Sequence, residues 1–231
     1  MNSLVTKTAP APGDDQLSCD LRGFGPIGIV AFLVILAGNF VFAPLSAILA
    51  LIWVRRSHTP WHEIGYVRPT SWLGEIAIGV MFGVVFKLLM KAIVMPLFGA
   101  DPVNHAFHYL VGNRAALPGA IFTMTVVAGI GEETFFRGYM FERLGKLLGS
   151  GMWAKTSIVL ATSILFGLEH YAVQGITGVE QATITGLVFG TIFAFTGSIF
   201  MPMVAHAAFD LTAIAIIYWD LESRVAHFIF Q

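Results

Sequence analysis

Between residues 26 and 219 the chain runs through successive stretches of about 20 mostly apolar residues, the length a helix needs to cross the hydrocarbon of a bilayer. Backbone polar groups find no water there, so such stretches fold as helices or not at all. Six spans are expected: from about Pro26 to Trp53, bending at Pro44, then Leu73 to Phe98, Leu117 to Leu148, Trp153 to Tyr171, Val179 to Thr196 and Phe200 to Trp219. Residues 57–72 hold Arg68, His58, His62 and two prolines, and read as a connector that puts Trp61 and Trp72 at headgroup level. The expected architecture is all-α: a polytopic transmembrane helix bundle of about six spanning helices. Residues 1–24 form a polar N-terminal tail and residues 25–231 a single transmembrane domain. Only 12% of the residues are charged, about half the soluble average, which places the chain as an integral, multi-pass protein of the cell (plasma) membrane.

The net charge is −1 and no Lys/Arg run occurs, so nucleic acid is not an expected partner. Cys19 is the single cysteine and cannot form an internal disulfide. The first apolar stretch is too long for the core of a signal peptide and is expected to stay as an anchor. Positive residues gather at Arg55, Arg56 and Arg68, and again at Arg143, Lys146 and Lys155, while the alternate loops hold little more than Arg114 and Arg224. By the positive-inside rule both clusters face the cytoplasm, with both termini outside. No internal repeat is visible, which argues against a transporter of two related halves.

Ionisable groups inside spans cost about 2.5 to 3.5 kcal/mol each at a helix centre, and so usually mark function or pairing. The third span carries Glu132, Glu133 and Arg137. At helical spacing Glu133 and Arg137 lie one turn apart and form a pair, while Glu132 points elsewhere and is left to take a proton from water. The fourth span ends with Phe166 and His170 sharing a face, and Glu169 on another face, read as solvated. The sixth carries His206 and Asp210 one turn apart, a spacing at which a carboxylate can fix the tautomer and direction of an imidazole. Counted at ~1.5 Å per residue from the cytoplasmic ends, Glu132, His170 and His206 lie roughly 14, 20 and 10 Å deep. A shared site in the cytoplasmic half of the bundle is the expectation.

Other polar positions are read as architecture. Lys87 and Lys91 face a hydrated cavity or headgroups, or neutralise acids such as Glu142, and His105 and His108 sit in a polar surface loop with Asp101. Gly79 with Gly83, and Gly186 with Gly190, have the spacing of close helix packing.

Taken in order, Glu132-Glu133-x-x-x-Arg137, Phe166-x-x-x-His170 and His206-x-x-x-Asp210 resemble the signature of the CPBP family. That family groups CAAX prenyl proteases of the second type with bacteriocin-processing and self-immunity membrane proteins. The likeness covers about residues 117–219, the expected catalytic core, and the Ile64-Gly65-Tyr66 segment is similar to a lead-in common in the family. It implies an intramembrane endopeptidase with Glu132 as general base on water and His170 and His206 around that water and the scissile carbonyl. Glu133, Arg137 and Phe166 support them, and Asp210 orients His206.

Two mechanisms use the same letters. In one, Glu132, His170 and His206 bind zinc, which then needs a separate base. In the other, preferred because no part is missing, no metal cofactor is used and Glu132 itself takes the proton. Expected substrates are membrane proteins or lipidated or precursor peptides, cut in extended membrane-proximal tails. The alternatives are a non-catalytic membrane immunity or scaffold protein that keeps these residues as a polar network, and then a channel or transporter.

Overall fold

A computed structural model describes residues 15–229. Among them all regular structure is helical. Large apolar side chains such as Leu33, Leu73, Met81, Ile164 and Phe195 cover the outside, as in a bundle whose solvent is lipid. Three helices are long and apolar enough to cross a membrane, or four if the bent pair Gln16–Arg22 and Pro26–Val41 is one broken span. This is fewer than the six expected. The difference has two causes: the first stretch is not one helix, and the third and fourth carry the charged residues.

The chain opens with α1 (Gln16–Arg22), α2 (Pro26–Val41) and α3 (Ala43–Arg56). Part of the segment read as a polar tail is therefore helical, and residues 1–14 of it lie outside the described residues. Phe42 adopts an extended backbone and Pro44 stands in the first turn of α3, where its missing N–H costs nothing. The chain does not bend into one long span there; it folds back. Gly38 admits Leu45, Ser46 and Leu49 to within 3.5 Å of where a Cβ would stand, and Ser46 Oγ donates to Asn39 Oδ1 at 2.9 Å. Near the other end Trp53 Nε1 donates to Leu21 O. The arms, with 16 and 14 residues, are ~24 and ~21 Å long, short of the ~30 Å hydrocarbon. Residues 16–26 consequently lie at the Arg55 and Arg56 end, where Arg143 donates to the carbonyls of Arg22 and Gly23. The C-terminal end lies opposite, so the expectation of both termini on one side does not hold for the described chain.

Helix α4 spans Trp72–Leu97, with a π-wound turn at Met90–Val94. Residues 117–148 form α5, which is α-helical at Leu117–Phe122 and Met140–Leu148 and π-wound at Thr123–Glu132 and Thr134–Tyr139. Three more long or short rods follow: α6 (Met152–Glu169), α7 (Tyr171–Thr196), broken at Gly175, and α8 (Phe200–Tyr218), before the short α9 (Glu222–Ala226).

Glycines set two close crossings. Gly167 meets Thr183, Gly186 meets Ser163 and Gly190 meets Val159, so α6 and α7 run antiparallel. Gly79 meets Val204 and Gly83 meets Ala205 and Ala208, so α4 and α8 run parallel. A Cβ on Gly83 would stand 2.2 Å from Ala205 O, a backbone atom that cannot step aside. Gly83→Ala should therefore destabilise the bundle by about 1–3 kcal/mol, the usual cost of overpacking, read by thermal unfolding in detergent.

The lysines of α4 and the charges outside the motifs also have partners. Lys91 meets Glu222 at 3.2 Å, not Glu142, whose partners are Lys146 and Arg143. Lys87 donates to Gln181 Oε1 at 3.1 Å. His105 and Asp101 form an exposed pair at 3.1 Å, as a surface loop suggests.

Candidate active site

Three of the helices bring acids and imidazoles to one place. Helix α5 supplies the first group through its π-wound stretch, in which Met140 N–H reaches back five residues to Phe135 O. Such winding is rare and frequently found at functional sites. Glu133 is fully buried, and its Oε1 accepts from Arg137 Nη1 at 2.8 Å, as the one-turn spacing predicts. Arg137 also donates to Gly186 O and lies over the Phe166 ring, with its Cζ 4.9 Å from the centroid.

The same Glu133 oxygen is 2.7 Å from His206 Nδ1. This corrects one expectation: the carboxylate that orients His206 is Glu133 and not Asp210. Asp210 Oδ2 stands 3.6 Å from Nε2, the other ring nitrogen, and Glu132 Oε2 stands 3.8 Å from it. One turn of α8 separates His206 from Asp210, but a carboxylate arriving from α5 reaches Nδ1 first. Spacing within a helix cannot reveal a partner on another helix. With Nδ1 donating to Glu133, Nε2 faces the cavity between two further acids.

His170 ends α6, where its Nδ1 is 2.8 Å from the carbonyl oxygen of Phe166. A carbonyl only accepts, so Nδ1 carries the proton and Nε2 offers a lone pair when the ring is neutral. The Phe166 ring packs edge-on against both imidazoles, with centroids 4.8 Å from His170 and 5.8 Å from His206. That is the aromatic wall expected from the sequence.

Glu169 and Asn39 are what the sequence reading missed. Glu169 is 12% exposed and accepts a short hydrogen bond from the Asn39 amide. Asn39 sits near the tip of the α2–α3 hairpin, which a single-span reading of residues 26–53 places far from α6. The signal available was the carboxylate itself, a costly group at the end of an apolar helix.

Glu132, Glu169, His170, His206, Asp210 and Lys87 line one cavity of about 320 Å³. Glu132 Oε2 is buried there without a hydrogen-bond partner. The cavity also touches Asn104, Phe107 and Leu110, in the loop at the end opposite Arg55 and Arg56. The cavity thus extends toward the end of the bundle opposite the basic clusters, which is not the direction expected from the sequence.

A metal fits part of this set. One ligand atom from each of Glu132, Glu169 and His170 lies within 4.8 Å of the others. His206, the third ligand expected from the sequence, is outside that group and its Nδ1 is engaged by Glu133.

All of these side chains except Asn39, Lys87 and the α4–α5 loop fall within residues 114–212, which match the family described as "Type II CAAX prenyl endopeptidase Rce1-like". That segment, less than half of the chain, is similar to the Rce1-like family. The three motifs at Glu132 to Arg137, Phe166 to His170 and His206 to Asp210 all lie within the matched residues. The curated relatives carry no functional name. The chain is 29% identical over 136 residues to the uncharacterized protein YyaK of Bacillus subtilis (strain 168), covering 56% of this chain and 44% of that one. It is 28% identical over 157 residues to an uncharacterized 24.3 kDa protein of Escherichia coli, covering 66% and 67%. A third, YpbD of Bacillus subtilis (strain 168), is 22% identical over 201 residues, covering 86% and 90%. The match to the first of these spans less than half of that relative's length. No solved structure matches with significance.

Proposed function

We propose that this Rce1-like chain is an intramembrane endopeptidase that hydrolyses a peptide bond in a membrane-associated protein or peptide, with Glu132 as the base that activates water. One observation carries the reading: Glu132 Oε2 is buried, has no hydrogen-bond partner, and faces His206 Nε2 across 3.8 Å inside a cavity. The same cavity holds His170, His206 and Asp210, so a water bound there would meet a base and two imidazoles together, a convergence that an immunity or scaffold protein does not require. Glu132 leaves an acceptor aimed at the place where water would sit.

The steps follow from the positions. Glu132 takes a proton from water, and the oxygen adds to the scissile carbonyl carbon. His206 Nε2 polarises the carbonyl oxygen as charge develops on it. To donate there while Nδ1 donates to Glu133, the ring must hold both protons. His170 Nε2 accepts from the water and fixes its direction. Collapse of the intermediate breaks the C–N bond, and Glu132 returns its proton to the leaving amine. Asp210 sits beside His206 as a second negative neighbour. No metal is needed for these steps, since Glu132 supplies the base that a zinc-bound water would still require.

A helical backbone has its amides already hydrogen-bonded, so the substrate is an extended, membrane-proximal tail of a membrane protein or of a lipidated or precursor peptide. The protein acts within the lipid bilayer of the cell membrane. The test is incubation of the purified protein with a membrane-peptide library, read by mass spectrometry with and without a strong chelator. Cleavage should persist under chelation. Loss of cleavage with rescue by zinc would overturn the metal-free assignment.

A further inference from the structure

The geometry points to a divalent-cation site formed by Glu132, Glu169 and His170, which when occupied withdraws Glu132 from water and so inhibits the proposed reaction. The inhibitory half rests on the peptidase reading; the binding half does not.

Four observations converge. The three donor atoms lie within 4.8 Å of one another, so shifts of about an ångström would bring each to the ~2.0–2.2 Å reach of a first-row metal ion. His170 donates Nδ1–H to the Phe166 carbonyl at 2.8 Å, leaving Nε2 as the ligand atom. That is how metal-binding imidazoles are usually held from behind. Glu169 is held in the same way, by the Asn39 amide, and Asn39 in turn by Ser46 Oγ at 2.9 Å. Finally, Glu132 Oε2 is buried and unpartnered, while the nearest guanidinium, Arg137, is engaged by Glu133. Two carboxylates facing each other in an apolar bundle call for a cation, and none of the described basic side chains makes a salt bridge to either except His170 and His206.

The donor set decides the chemistry. Two carboxylate oxygens and one imidazole nitrogen, without thiolate, suit a borderline ion such as Zn²⁺ or Mn²⁺. They do not form the oxygen-only cage that Ca²⁺ prefers. An ion bound through Glu132 would occupy the lone pair that must take the proton from water.

The full-length protein in detergent, stripped with chelator and then titrated with zinc, tests both halves. Calorimetry should show one zinc per chain, and zinc should raise the melting temperature, since a ligand that binds only the folded state stabilises it. Glu169→Gln should weaken binding at least tenfold. Asn39→Ala, which removes the outer support, should weaken it by about 10–100-fold. Zinc should inhibit peptide cleavage by the wild type, with the inhibition constant shifted in each variant by the same factor as binding. No zinc binding to the wild type, or equal affinity in both variants, would refute the site even if the protein is an active peptidase. Zinc binding without loss of cleavage would refute the inhibition while keeping the site. If either variant unfolds, the zinc-dependent melting shift of the wild type still decides binding.

Discussion

Glu132→Gln should lower cleavage by roughly 10²–10⁴-fold, the range that positioned proton transfer contributes, while the protein folds at least as well as the wild type. The two halves of this result come from one fact. Glu132 Oε2 is buried without a partner, so the carboxylate contributes little to holding the bundle together, and a neutral amide of the same shape removes a charge that the apolar interior resists. Chemistry is lost because the amide cannot accept the proton of water. Thermal unfolding and mass-spectrometric turnover on one preparation separate the two effects. A variant that cleaves at the wild-type rate would remove Glu132 from the role of base, and one that fails to fold would make the residue structural.

The opposite pattern is expected at Arg137. It is almost fully buried, as is Glu133, and the pair meets at 2.8 Å. Removing one member of a buried ion pair typically costs about 3–5 kcal/mol, and here leaves the buried Glu133 carboxylate with the His206 imidazole but no guanidinium. Arg137→Met should lose stability on that scale and, because Glu133 also holds His206 Nδ1 at 2.7 Å, should lose activity in whatever fraction remains folded. Adding Glu133→Gln should restore much of the stability, since the buried charge that lost its guanidinium is then removed as well, without restoring activity. Wild-type melting behaviour in the single variant would show that the guanidinium is not what compensates Glu133.

The sequence was most legible where residues one turn apart serve each other. Glu133 with Arg137, and Phe166 with His170, meet as helical spacing predicts, even though the first pair lies in a π-wound stretch. It was least legible where a partner arrives from another helix. The Glu133–His206 contact joins residues 73 positions apart and the Asn39–Glu169 contact residues 130 apart. Hydropathy likewise marked residues 26–53 as apolar without distinguishing one bent rod from two short ones. Pro44 is the local clue, but a proline in an apolar run is compatible with a bend as well as with a new helix start. The extended backbone at Phe42 and the packing of Gly38 against α3 separate the two outcomes.

The short hairpin has a consequence for the surrounding lipid. Its tip residues Phe40, Val41 and Phe42 are largely exposed, yet its longer arm ends ~6 Å short of a ~30 Å slab. Acyl chains beyond that tip must bend or splay to cover the gap, at a modest cost per ångström of mismatch. Asn39 and Glu169 sit just beneath this dimple. A polypeptide drifting in the plane of the membrane would meet its thinnest patch there, with headgroups and water drawn closest to the acids within.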